Sequence, residues 1–222
     1  MDDHVATVAR LLEQVRGRRA PVVALDGPGR GGKTTLANQL LEAKPGLHVV
    51  HMDDFYRQMP DAERAGLSPD EGYHRYFDWE RLRDDVLEPL RLGGSVIYRR
   101  YDWATGGLGE TVHVEPNAIV LVEGVYASRP ELRNYYDLVI FLTADRDECL
   151  RRARVSGENS EDWIMRWRAA EDFYLDHVHP QAHADLVIRG EAQRSSQDGG
   201  HHDLERRHRE RRGRRQGHLG LP

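Results

Sequence analysis

Pro21-Val22-Val23-Ala24-Leu25-Asp26-Gly27-Pro28-Gly29-Arg30-Gly31-Gly32-Lys33-Thr34-Thr35-Leu36 is the stretch on which the reading of this 222-residue chain turns. The apolar run from Pro21, closed by Asp26, has the character of a strand buried on both faces. Gly27 to Thr34 fits the spacing G-x-x-x-x-G-K-[ST], and Thr34 to Ala43 carries helical periodicity. A glycine-rich turn between a buried strand and a helix is a cradle for phosphate. Main-chain N–H groups converge on the anion, aided by the helix N-terminus. Gly27, Gly29, Gly31 and Gly32 let the backbone approach closely. Lys33 is placed to neutralise β- and γ-phosphates, and Thr34, followed by Thr35, to hold Mg²⁺ through its hydroxyl. A chance glycine-rich turn is the alternative, and both flanks argue against it.

Outward from this stretch, short apolar runs alternate with helical patterns. Residues 5–16 read as an amphipathic helix, 48–52 as a strand ending at Asp53 and Asp54, and 79–92 as a helix. Residues 57–76, polar and rich in Pro and Gly, read as a mobile excursion. Residues 95–99 and 111–114 alternate around Thr105-Gly106-Gly107 and predict a β-hairpin. Strands follow at 119–122, 138–142 and 185–188, with helices at 146–155 and 161–176. The expectation is a three-layer α/β fold, a parallel sheet with helices on both faces.

Composition narrows the function. With 39% hydrophobic and 31% charged residues the chain has enough apolar side chains for one core. No run approaches the roughly 18 apolar residues of a membrane helix. A lone cysteine, Cys149, allows neither a disulfide framework nor a cysteine zinc site within one chain, and Met1-Asp2-Asp3-His4 leads into no apolar signal region. A cytoplasmic protein is expected. The net charge of −5 is uneven: residues 190–222 hold eight arginines against five acids, leaving residues 1–189 at −8. An acidic body gives no broad face for nucleic acid. The chain is therefore expected to form one domain over 1–189 and a disordered tail over 190–222. An RNA-binding arm is the other reading of the tail, and its interspersed acids argue against it. Only two lysines occur among 32 basic residues, and one of them is Lys33.

Carboxylates at strand ends extend the site. In parallel α/β sheets the working crevice lies at the carboxyl ends of the strands. Asp53, closing the second predicted strand, is placed to accept a proton from an attacking hydroxyl and to approach the metal; a turn-forming role is the alternative. Asp54 should point elsewhere. Glu123 follows strand 119–122 and is a candidate Mg²⁺ ligand, with Gly124 leaving room for a close ligand. His177, His179 and His183 read as a surface turn around Pro180 rather than a metal site.

The segments GPGRGGKTT (27–35), HMDDFY (51–56), YFDWERL (76–82), VIYRRYDW (96–103), VLVEGVY (120–126) and ADLVIRG (184–190) stand in a telling order. The chain resembles the uridine kinase-like branch of the P-loop kinases, which includes uridine–cytidine kinases, nicotinamide riboside kinases and phosphoribulokinase. The resemblance covers about residues 20–190. It implies an ATP- and Mg²⁺-dependent kinase acting on a primary hydroxyl of a small acceptor, a nucleoside or a compound like one. It implies that Asp53 is the base, that Tyr56 lies on the substrate side and that Asp78 holds ribose hydroxyls. Tyr101 and Asp102 would shape the acceptor pocket, Glu123 would bind magnesium, and Arg151, Arg152 and Arg154 would cover the transferring phosphate from a lid helix. Asp78 as the cap of the following helix, Tyr101 and Trp103 as packing aromatics, and the arginines as a solvated face are the plainer readings.

Two features depart from that branch. Pyrimidine-specific members carry a base-reading histidine where this chain has Ala104-Thr105-Gly106-Gly107, so Tyr73, Tyr76, Trp79 and Trp103 are an alternative aromatic pocket for another ring. The arginine-rich tail stands where folded chain near the adenine is expected, which leaves the donor base open. A kinase for a sugar phosphate, a pantothenate-like alcohol or a hydroxylated antibiotic is the rival within enzymes. A slow nucleotide-hydrolysing switch is the rival outside them, disfavoured by the acceptor-side set and by the lack of an N-K-x-D guanine motif. A homo-oligomer is compatible with all of these.

Overall fold

The computed structural model describes residues 3–15, 21–115 and 118–190. The tail reading falls, from residue 191 onward, outside the described residues. So does Arg16 at the end of the first expected helix.

The apolar run after Pro21 becomes β1 (Val22–Asp26), every residue buried, at the centre of a five-stranded parallel sheet. Its neighbours are β5 (Ile119–Glu123) and β6 (Leu138–Thr143), with β2 (Leu47–His51) outside β5 and β7 (Leu186–Arg189) outside β6. Between β1 and β2 runs α2 (Lys33–Ala43), and α1 (Asp3–Val15) precedes β1.

Side chains alternate across the sheet, and that alternation builds two cores. Val23 and Leu25 of β1 and Leu121 of β5 face α1 and α2, meeting Val8, Leu12, Leu36 and Leu40 in an almost wholly aliphatic layer. Val22, Val120 and Val122 face the other way. They meet a layer dominated by aromatics, among them Tyr73, Phe77, Tyr126 and Tyr174. The helices of this second face are α4 (Pro69–Arg75), the segment from α5 (Trp79–Leu82) to α6 (Glu88–Arg91), and α8 (Glu161–Val178). A short α3 (Asp61–Ala65) and α7 (Arg146–Ser156) complete the α-helices among the described residues. Pro180–His183 forms a single 3₁₀ turn after α8.

Three elements differ from the sequence reading. Residues 57–76 are not a free excursion: α3 and α4 form there, and Ser68 and Glu71 close a reciprocal capping box at the start of α4. The apolar pair Tyr73 and Tyr76 then docks α4 against α8. Helix 79–92 carries a π turn at Arg83–Leu87, just before Pro89, whose ring nitrogen has no hydrogen to donate to the helix ladder. The hairpin is longer than the alternation suggests. β3 (Val96–Asp102) and β4 (Gly107–Val114) form their own two-stranded sheet, bulged between Arg99 and Tyr101. It docks through Tyr98, whose ring stacks on Phe55 in the 3₁₀ turn Met52–Phe55.

Candidate active site

The parallel register places Leu25, His51 and Glu123 side by side at the carboxyl edge of the sheet. The phosphate loop leaves β1 at this edge. Gly27 makes the exit feasible: at φ +148 its Cβ would stand 2.2 Å from the Leu142 carbonyl oxygen. Lys33 is buried and its Nζ donates to the carbonyls of Gly27 (2.9 Å) and Pro28 (2.8 Å). These bonds hold the ammonium within the loop.

Beneath the loop lies a polar network that the sequence reading did not single out. Asp26 is fully buried; its Oδ1 accepts from Gly27 N–H (2.6 Å). Its Oδ2 accepts from Ser128 N–H (2.9 Å), the Ser128 hydroxyl (2.7 Å) and the Tyr174 hydroxyl (2.6 Å). From α8, buried Glu171 accepts from Gly29 N–H at 3.1 Å and from the Trp167 indole. Burial pushes the Glu171 carboxyl upward, while Lys33 and these two donors oppose the shift. One available signal was an acid closing an otherwise apolar strand, as Asp26 does. Glu171 has no local signal, because its partner lies 142 residues away.

Two acids and a histidine stand beside the loop, and a third acid turns away from it. Glu123 Oε1 accepts from the Thr34 hydroxyl at 3.2 Å and pairs with His51 Nδ1 at 2.6 Å. Burial alone would raise the Glu123 carboxyl, but the His51 bond, the Lys33 charge and the Thr34 hydroxyl together hold it below the ordinary value. His51 shows the converse: burial works most strongly against its charge, but the bond to Glu123 and the negative charges of Glu123, Asp54 and Asp53 together raise the imidazole. Asp53 sits two residues beyond β2, in the 3₁₀ turn rather than at the strand end. Surrounding protein atoms, then the negative Glu123, push its carboxyl up to about 6, with His51 and Lys33 opposing. Its surface is nonetheless open to the cleft. With that side in water, the upward direction is what the geometry carries. Asp54 points away, as expected, accepting from the Tyr98 hydroxyl at 3.0 Å and pairing with Arg100. Gly124 also serves the turn itself. A Cβ there would lie 2.4 Å from that of Met52, so the glycine admits the start of the Asp53 turn.

The remaining residues named from the sequence fall in separate places. Asp78 caps α5 by accepting from Arg81 N–H (3.4 Å), and lies 3.6 Å from Arg57. Asp102 organises the hairpin turn, accepting from Ala104 N–H (2.9 Å) and the Thr105 hydroxyl (3.0 Å). Tyr56 is buried against Phe77, Tyr101 and Trp103, with ring centroids 5.8, 5.3 and 4.6 Å away. The alternative aromatic pocket does not form. Tyr73 and Tyr76 lie in the core against α8, Trp79 lies under Arg83 and Arg129, and Trp103 alone joins the hairpin cluster. Of the lid arginines, Arg152 reaches the phosphate loop, donating to the Arg30 carbonyl at 3.2 Å. Arg151 and Arg154 are held on the surface by Glu148 and Glu161.

Comparison with known proteins agrees with this geometry. The Phosphoribulokinase / Uridine kinase family matches residues 22–195. A uridine kinase of Borrelia hermsii is 25% identical over 200 residues, 82% of this chain and 88% of that protein. One of Ureaplasma parvum is 28% identical over 177 residues, 73% of this chain and 84% of its own. Among solved structures, a possible uridine kinase from Bacillus stearothermophilus superposes with a TM-score of 0.67 at 27% identity, covering 84% of this chain and 97% of that one.

Proposed function

The chain belongs to the phosphoribulokinase and uridine kinase family, phosphotransferases acting on a hydroxyl, and we propose that it moves the γ-phosphoryl group of ATP to a small acceptor, the 5′-hydroxyl of a nucleoside or nucleoside-like compound. The observation that carries this reading is Asp53. It is open to the cleft, yet lies within the electrostatic reach of Lys33 and Glu123 at the strand ends.

The donor set suits magnesium. The Thr34 hydroxyl and the Glu123 carboxylate are hard oxygen ligands 3.2 Å apart, and Mg²⁺ keeps several of its waters when protein-bound. Among the described residues no group of three His, Cys, Asp or Glu side chains converges as a self-sufficient metal site. That fits an ion shared with nucleotide phosphates, with Asp53 nearby. ATP and Mg²⁺, when bound, supply the transferable group and neutralise its charge.

The chain's own residues do the rest. The loop amides and Lys33 position the phosphates, and Arg152 closes over them from α7. Asp53 orients the acceptor hydroxyl and takes its proton. Tyr56, Asp78, Tyr101 and Asp102 shape the acceptor side, and the absence of a membrane-length apolar helix among the described residues is compatible with a cytoplasmic enzyme.

ADP release with ATP and Mg²⁺, measured against nucleosides, sugars and alcohols beside a no-acceptor control, tests the reading. Turnover that requires one acceptor is the expected result. Release that no acceptor stimulates would overturn it in favour of a hydrolytic switch.

A further inference from the structure

The described chain buries two arginines, and only one has a counter-ion. Arg129, fully buried, is held by Glu131 through Nε (2.9 Å) and Nη2 (3.1 Å). Arg64 is 5% exposed, and among the described residues no carboxylate lies within ion-pair distance of it. Its Nη2 donates to the carbonyl of Arg57 at 2.7 Å, while its buried Nη1 has no partner. The guanidinium lies 4.1 Å over the Tyr56 ring and acts electrostatically on Tyr76 and Tyr101.

This arrangement is costly as it stands. A desolvated cation without an anion loses hydration that ring contact replaces only in part. Arg64 is also the sole buried side chain of the five-residue α3, and another tie of that helix to the fold is the exposed ion pair of Glu63 with Arg75 in α4. The cluster lies on the acceptor side, since Tyr56 is three residues from Asp53 and shares its aromatic contacts with Tyr101 and Trp103 of the hairpin. A planar guanidinium with one nitrogen unspent is suited to an oxyanion.

We propose that Arg64 is a specificity-determining residue, and that the acceptor carries, besides its reacting hydroxyl, an oxyanion (carboxylate or phosphate) that pairs with Arg64 beside the Tyr56, Tyr101 and Trp103 rings. This rests on the kinase reading above and names the class of acceptor it takes. It distinguishes this chain from one built for an uncharged nucleoside.

The test uses matched acceptors that differ by one anionic group. Uridine against orotidine forms the carboxylate arm, and fructose against fructose 6-phosphate the phosphate arm. Binding by calorimetry and ATP-dependent turnover are both measured on the full chain, on Arg64→Gln and on Arg64→Lys. The expected result is a preference of about tenfold or more for the anionic member in at least one arm. The ratio collapses in Arg64→Gln and is partly kept in Arg64→Lys, which retains the charge and reports that the fold survives. Equal binding within both pairs, no binding by any member, or a preference that Arg64→Gln leaves intact overturns the proposal. The kinase reading fails separately: binding of the anionic member without turnover supports the anion site and sinks phosphotransfer, whereas turnover of neutral acceptors alone does the reverse.

Discussion

Beneath the phosphate loop, the side chains of Asp26, Lys33 and Glu171 are buried and each holds two or more hydrogen bonds to other groups of the protein. On the acceptor side, Arg57 Nε and Arg64 Nη1 are buried with nothing to bond. Phosphate chemistry is the same for every acceptor, so its half of the cleft can be finished in advance by bonds internal to the protein. Acceptor chemistry is particular, and its half is left incomplete where a ligand has to supply the last partner. Rigidity on one side and unmet bonding capacity on the other are a division of labour between general chemistry and specificity.

Substitutions on the two sides should therefore fail in different ways. Asp53→Asn is expected to lower acceptor-dependent turnover by about a thousandfold while ATP affinity, measured by titration, stays near the parent value. A parallel loss of ATP affinity would move Asp53 to the phosphate side. Asp26→Ala should do the opposite. It strands four donors in the core, costs about 3 kcal/mol of stability in urea unfolding, and raises the KM for ATP more than that for the acceptor. Arg152→Ala, losing a cation that touches the loop, is expected to reduce kcat by about tenfold, and more than Arg151→Ala does. Tyr98→Phe removes the bond to Asp54 that seats the hairpin and should cost about 1 kcal/mol, with acceptor KM rising and ATP KM unchanged.

The smallest effect is in pH. Because the Asp53 carboxyl is pushed up to about 6, turnover should fall as pH drops through that value. Stability runs the other way. The native state keeps this proton to higher pH than the unfolded chain, whose aspartates titrate near about 3.9, so Asp53 becomes a growing liability as pH rises between the two. Asp53→Asn should then melt above the parent at pH 7.5, with the gap closing by pH 4. The open side of Asp53 keeps that gap modest.

The same contrast explains what was legible in the sequence. The loop from Gly27 to Thr35 is local: strand, turn and helix are contiguous, so spacing alone locates it. The parallel sheet was legible for a related reason, since strands buried on both faces are continuous apolar runs. Asp78 and Asp102 are instructive in another way. Both are partly occupied by the local capping bonds that acids make at helix starts and turns, which is the plainer reading the sequence offered for Asp78. What spacing could not supply were the long-range partners. Glu171 meets Gly29, Tyr174 meets Asp26, and Tyr73 and Tyr76 turn into the core rather than toward a ligand, because α8 arrives opposite them. Only the fold brings these residues together, and no periodicity within α8 announces it.

The bond between Tyr174 and Asp26 spans 148 residues and has a consequence for how the protein is made. A ribosome delivers the glycine-rich loop early and α8 only after many further residues. The N-terminal segment can therefore leave the exit tunnel with its motif complete and its support missing. Competence to hold nucleotide should arise only once α8 has been made and reaches back to β1.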